Sequence, residues 1–226
     1  MKYIFANWKS NKNRKDAEHW MDEFDKNYAH FASHEDLEII IAPPMPSLMF
    51  ISNRLLDRQK HPHVYLAVQD LSSYPAGSYT GAVSTVNLEG FNVKYAILGH
   101  SERRNYFEES DMDVAKKVDQ AVEAGITPVV CVDEDYIESQ AYAIDKKHHK
   151  KCIVAYEPLS AIGTGDEMNP KKVVEVVNRI RKAFGDVRVI YGGSVDGDNV
   201  KDYLEVCDGV LVGGASLKVD EFKRLV

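Results

Sequence analysis

Cysteine is scarce in this chain. Cys131, Cys152 and Cys207 are the only three, an odd number without a CxxC pair, and the first two lie in apolar runs. A disulfide framework is therefore not expected, and a reduced, cytoplasmic protein is. No apolar run approaches the ~18 to 20 residues that span a bilayer. The opening MKYIFANWKSN lacks the long apolar stretch of a signal peptide. No membrane partner and no leader are expected. Positive charge is also short, with a formal net charge of −7, which disfavours nucleic-acid binding through a broad basic surface. The one basic cluster, Lys146 to Lys151, falls between two predicted elements and reads as a solvated helix end. Repeats, low-complexity tracts and interdomain linkers are missing too, so residues 1–226 are expected to form one domain. In so acidic a protein, an anionic ligand must be met by local donors and local positive charge.

The chain is 44% hydrophobic over 226 residues, enough for one sizeable core. Short β-rich apolar runs recur at 3–7, 38–42, 64–68, 95–98, 128–132, 152–156, 187–191 and 209–212. Amphipathic stretches lie between them, near 15–31, 46–59, 84–91, 111–124, 134–150, 170–184, 197–206 and 218–225. Apolar runs this continuous imply strands buried on both faces, as in a parallel sheet. Eight strands alternating with eight helices imply a closed barrel or a large doubly wound sheet. The barrel is preferred, because polar and glycine-rich residues follow strand after strand and barrel sites sit at that end. The expected fold class is thus α/β, a (β/α)8 barrel of eight parallel strands surrounded by helices. Asn169–Pro170 reads as a helix start and Gly125 as a helix stop.

The polar residues after the strands carry the chemistry. Strand 1 delivers Asn7 and Lys9, strand 4 delivers His100, Ser101 and Glu102, and strand 6 delivers Glu157. Each alone has an ordinary structural explanation; they count as a set converging on one mouth. Strands 7 and 8 run into Gly192–Gly193–Ser194 and Gly213–Gly214. Glycine lets backbone N–H groups approach an anion, and barrels bind phosphate between these two loops. The stretch 157–165, EPLSAIGTG, suits a loop that closes over a ligand.

These motifs resemble those of the triosephosphate isomerases. Residues 99–104, GHSERR, match the segment with that family's electrophilic histidine. Residues 155–165, AYEPLSAIGTG, look like its base and lid. Asn7, Trp8 and Lys9 resemble its N-x-K signature, while 191–195, YGGSV, and 212–215, VGGA, resemble its phosphate loops. Residues 77–81, GSYTG, are similar to its dimer-interface loop. The matches run in family order over nearly the whole chain.

The resemblance implies interconversion of dihydroxyacetone phosphate and glyceraldehyde 3-phosphate, a step of glycolysis and gluconeogenesis. It implies Glu157 as the base, His100 and Lys9 as donors to the substrate oxygens, Asn7 as an orienting residue and Glu102 as their supporting partner. Gly163, Ser194, Gly213 and Gly214 are implied to hold the phosphate. No metal and no cofactor are expected, since Lys9 and His100 cover the oxyanion. A homodimer is implied through Ser73–Gly81, with Thr80 reaching a neighbouring copy; a tetramer is the other possibility. Departures from the family pattern are confined to Leu159, Ser160, Asp166, Glu167 and Met168 in the lid, to 132–134, to Ala82 and to a short 133–151 connection. None removes a catalytic residue. The competing readings are another sugar-phosphate barrel enzyme, such as an epimerase or a synthase, and a catalytically silent phosphate-binding barrel.

Overall fold

The computed structural model describes residues 1–34, 36–56, 60–158 and 168–226. Eight strands form where the apolar runs predict them: β1 (Lys2–Asn7), β2 (Leu37–Ala42), β3 (Val64–Val68), β4 (Val93–Leu98), β5 (Thr127–Val132), β6 (Ile153–Tyr156), β7 (Arg188–Tyr191) and β8 (Gly209–Val212). They close in sequence order into a parallel barrel, with β8 returning to pair with β1. The doubly wound alternative is thereby excluded.

The period-2 alternation of each strand divides the core in two. Phe5, Ile40, Ala67, Ile97, Val129, Cys131, Ala155, Ile190 and Leu211 belong to a cluster that fills the barrel. Their strand neighbours, such as Ile4, Ala6, Ile41, Val130 and Val154, pack outward with the helices.

The helices cover that outer surface. They are α1 (Arg14–Lys26), α2 (Tyr28–Ala32), α3 (Met45–Leu55), α4 (Ser101–Phe107), α5 (Asp111–Glu123), α6 (Ile137–Ala143), α7 (Lys146–His149), α8 (Pro170–Phe184), α9 (Val200–Val206) and α10 (Val219–Lys223). The longest, α8, shows why they form. Asn169 Oδ1 accepts the Lys171 N–H at 2.9 Å, Pro170 opens the first turn, and Val173, Val176, Val177, Ile180 and Phe184 make one buried stripe. Burying each of those side chains contributes roughly 1.5–3 kcal/mol. Ser110 and Asp113 cap α5 reciprocally, and Gly125 follows its end at φ +74.

Three stretches differ from the expected helices. The predicted 15–31 helix breaks at Asn27, which ends α1 and starts α2. The predicted 134–150 helix splits because Ile144 is extended and Asp145 caps Lys147 N–H. Residues 84–91 form only a 3-10 turn, Thr85–Leu88. The basic cluster is correspondingly divided. Its four lysines are exposed, but His148 and His149 are buried. His149 lies against the carbonyls of Phe184, Ala141 and Ile144, each at 3.1 Å. Among the described residues, no helix is long and apolar enough to cross a membrane.

Candidate active site

Every strand runs toward the same end, so the residues following β1, β4, β6, β7 and β8 meet at one mouth. Asn7, the last residue of β1, is buried and turns its Oδ1 to the Lys9 N–H at 3.0 Å. Lys9 itself is in the left-handed region, φ +50. Its ammonium donates to Glu102 Oε1 at 2.7 Å. The Lys9 stem passes Gly213 after β8, where an added Cβ would stand 3.1 Å from Lys9 Cε. Glycine keeps that passage open.

His100 is the N-cap of α4, a helix of seven residues that periodicity alone did not reveal. Its Nδ1 accepts the Glu102 N–H at 3.2 Å. A nitrogen that accepts carries no proton, so the imidazole is neutral and the Nε2–H faces the cavity. Nε2 lies 3.0 Å from Glu157 Oε1. Glu157 Oε2 accepts the Ser101 N–H at 2.8 Å, in the first turn of α4. Both oxygens of this fully buried carboxylate are therefore occupied, one by a ring and one by the backbone. Below it on β5, the Cys131 thiol is pushed well above its ordinary pKa by burial and by the neighbouring Glu157 charge. Cys131 is held as an inert thiol.

Across the mouth, polar side chains give way to backbone. Gly192 N–H donates to the Tyr156 carbonyl at 2.7 Å, which starts the turn after β7. At Gly193 an added Cβ would fall 2.2 Å from the Tyr191 hydroxyl, so any other residue there would have to displace that buried ring. Gly214 opens a 3-10 turn, Gly214–Ser216. Asn7, Lys9, His100, Glu157, Ser194, Gly213 and Gly214 all line one cavity of about 420 Å³. Asp196 and Glu221 line it too, which sequence reasoning missed. Glu102 lies just outside, in an adjoining cavity of about 730 Å³ that runs from Asn7 and Lys9 to Tyr79, Thr80 and Gly81. Gly163, Leu159, Ser160, Asp166 and Glu167 lie outside the described residues. Met168 is described: its carbonyl accepts the Tyr203 hydroxyl at 2.9 Å, and its sulfur lies 3.2 Å from the Tyr156 hydroxyl.

The floor of the larger cavity holds an ion ring that the sequence analysis did not identify. Arg103 Nη2 meets Asp70 Oδ2 at 3.0 Å, Lys117 Nζ meets Asp70 Oδ1 at 2.6 Å and also bonds Glu109, and Arg103 Nε returns to Glu109 at 3.2 Å. Burial nevertheless pushes the Asp70 carboxyl up, against the pull of Lys117. Gln69 and Asp70 directly follow β3, the same positional signal that drew attention to Asn7 and His100. Among the described residues, no group of three or more His, Cys, Asp or Glu is placed to hold a metal ion.

Comparison with known proteins agrees with this arrangement. The family model described as triosephosphate isomerase matches residues 2–226. A triosephosphate isomerase of Mesomycoplasma hyorhinis is 39% identical, over 99% of this chain and 96% of its own length. That of Aquifex aeolicus is 37% identical over 99% and 97%, and that of Dictyoglomus thermophilum is 35% identical over 100% and 98%.

Proposed function

The chain belongs to the triosephosphate isomerase family, and from that premise we propose that it interconverts dihydroxyacetone phosphate and D-glyceraldehyde 3-phosphate through an enediolate. Glu157 takes a proton from the carbon beside the substrate carbonyl. The electron pair of that C–H bond moves onto the carbonyl oxygen, where His100 Nε2–H and the Lys9 ammonium stabilise the charge. Glu157 then returns the proton to the neighbouring carbon, and a hydroxyl proton moves between the two oxygens. The alternatives, a silent phosphate-binding barrel or another sugar-phosphate enzyme, are not favoured by the family match.

One observation carries the assignment of roles. A fully buried carboxylate, a neutral imidazole N–H and an ammonium line one cavity whose far wall is glycine turns. In this resting arrangement Glu157 and His100 occupy each other. A substrate oxygen that takes the His100 N–H displaces Glu157 Oε1 and frees it for the carbon acid. Binding and activation of the base are then the same event. Ser194, Gly213 and Gly214 are proposed to take the phosphate, together with Gly163. Asn7 orients the substrate and holds the Lys9 turn. Glu102 parks the Lys9 ammonium until a substrate oxygen replaces it. A coupled assay with glyceraldehyde 3-phosphate tests the function. Turnover is expected in the wild type; none at any substrate concentration would reject it.

The same reading includes a homodimer with its contact at Ser73–Gly81. Tyr74 and Tyr79 stack at 4.6 Å on the surface, and Val86 and Phe107 are also exposed apolar residues. Exposed apolar side chains in such number suit a covered face. Thr80 borders the cavity that reaches Asn7 and Lys9. Light scattering is expected to give at least a dimer at assay concentration, and a fully active monomer would contradict it. A reduced, cytoplasmic setting is proposed from the three buried free cysteines.

A further inference from the structure

Both backbone polar groups of Lys9 are held by side chains. Its N–H donates to Asn7 Oδ1, and its carbonyl accepts from Gln69 Nε2 at 3.0 Å. The same amide nitrogen donates to the Ala42 carbonyl at 2.8 Å, and that carbonyl also accepts the Trp8 N–H. Lys9 follows β1, Ala42 ends β2 and Gln69 follows β3, so one carboxamide joins three neighbouring strand ends. The joint falls at a residue with φ +50, a conformation that a side chain bearing Cβ adopts only under constraint. The constraint matters because the lysine ammonium ends a flexible four-carbon stem. A turn that relaxed at Lys9 would move the charge furthest.

We propose that Gln69 is a positioning residue for the isomerisation, acting by fixing the left-handed turn that aims the Lys9 ammonium into the cavity. The proposal rests on the reading of Lys9 as the cation at the substrate oxygens. Glutamine suits the place, since its NH2 has two donors for two carbonyls. A carboxylate there would face those carbonyls without a hydrogen, and a methionine would remove the bond to the Lys9 carbonyl and leave the Ala42 carbonyl to the Trp8 N–H alone. Asp70, the next residue, is tied to Lys117 and Arg103, which anchors the strand end that carries the amide.

The test is a double-mutant cycle of Gln69→Met and Lys9→Met, read as kcat and KM with glyceraldehyde 3-phosphate and accompanied by melting temperatures. With Lys9 present, Gln69→Met is expected to lower kcat/KM by roughly 10- to 100-fold, the scale of a misplaced catalytic group. In the Lys9→Met background the same substitution is expected to cost nearly nothing further, because groups that act through one another are not additive. A purely structural role would lower the melting temperature and give equal kinetic losses in both backgrounds, which would overturn the proposal. Wild-type kinetics in Gln69→Met would overturn it as well. A fully active Lys9→Met variant would overturn the underlying reading of Lys9, a failure visible before Gln69 is touched. If Gln69→Met does not fold, Gln69→Asn enters the same cycle, keeping the amide one methylene short of the carbonyls.

Discussion

At the strand-start end of the barrel, Glu38 accepts the Tyr95 hydroxyl at 2.5 Å and the Lys94 ammonium at 3.0 Å. Lys94 lies 3.5 Å from the centre of the Tyr65 ring, and Arg188 stands over Tyr3. At the mouth, Glu157 accepts one backbone N–H and one imidazole N–H, and Lys9 reaches across to Glu102. Both ends bury a carboxylate against a ring donor, the Tyr95 hydroxyl at one and the His100 imidazole at the other. They differ in what can replace the partners. Around Glu38 the partners are side chains of the barrel wall itself, the buried Tyr95 and the half-buried Lys94 of one strand. Around Glu157 the His100 ring lines about 420 Å³ of open volume, where a ligand oxygen can take over its N–H. On the proposed function, the same kind of contact is a structural plug at one end and a poised reagent at the other, in keeping with catalysis at the C-terminal face of barrels and stability at the other.

Substitutions at each end should separate these roles. Lys9→Ala and His100→Ala should each lower kcat by about 10² to 10³, the scale of losing one oxyanion donor. Their melting temperatures should stay within about 4 °C of wild type, near 1 kcal/mol for a chain of this size. Steady-state kinetics and calorimetry together decide it, and unfolding of both variants would make the mouth as structural as the plug. Glu38→Ala should do the reverse. It strips the acceptor from Tyr95 and Lys94, costing roughly 1–3 kcal/mol. That corresponds to a melting temperature lower by about 2 to 12 °C. Its kcat/KM should be unchanged, and a large kinetic loss would blur the division. The smallest effect is expected outside both regions, at Tyr203→Phe on α9. Losing its bond to the Met168 carbonyl should cost about 0.5–1.5 kcal/mol, seen in denaturant titration with the m-value unchanged.

The plug and the mouth were unequally legible in the sequence. All eight strands were, because burial on both faces leaves runs such as 38–42 and 128–132 nearly free of polar residues. The helix breaks at Asn27 and Asp145 were not, since a backbone turn at the one and a side-chain cap at the other leave the amphipathic pattern intact. Nor was α4, whose seven residues carry no apolar stripe. At the mouth, Asn7, Lys9, His100 and Glu157 stood out by following strands and by their family motifs. Gln69 met the first criterion and was still passed over, because its contacts are to carbonyls of Lys9 and Ala42 that only the fold brings near. The ion ring was hidden for a related reason: Asp70, Arg103, Glu109 and Lys117 come from separate segments and have no common spacing. Nothing in the pattern marked the glutamate of the plug either, where Glu38 reads as an ordinary polar residue at a strand edge.

The central claim is that Glu157 moves a proton between two neighbouring carbons of a triose phosphate. Isomerisation of glyceraldehyde 3-phosphate in deuterated water, followed by proton NMR, tests it most directly in the wild type and in Glu157→Asp. The wild type should yield dihydroxyacetone phosphate with deuterium incorporated at the carbon that receives the proton. Glu157→Asp, retracting the carboxylate by one methylene, should remain folded and slow both product formation and deuterium incorporation on the order of 10²-fold. Wild-type rates and labelling in a folded Glu157→Asp protein would contradict the account.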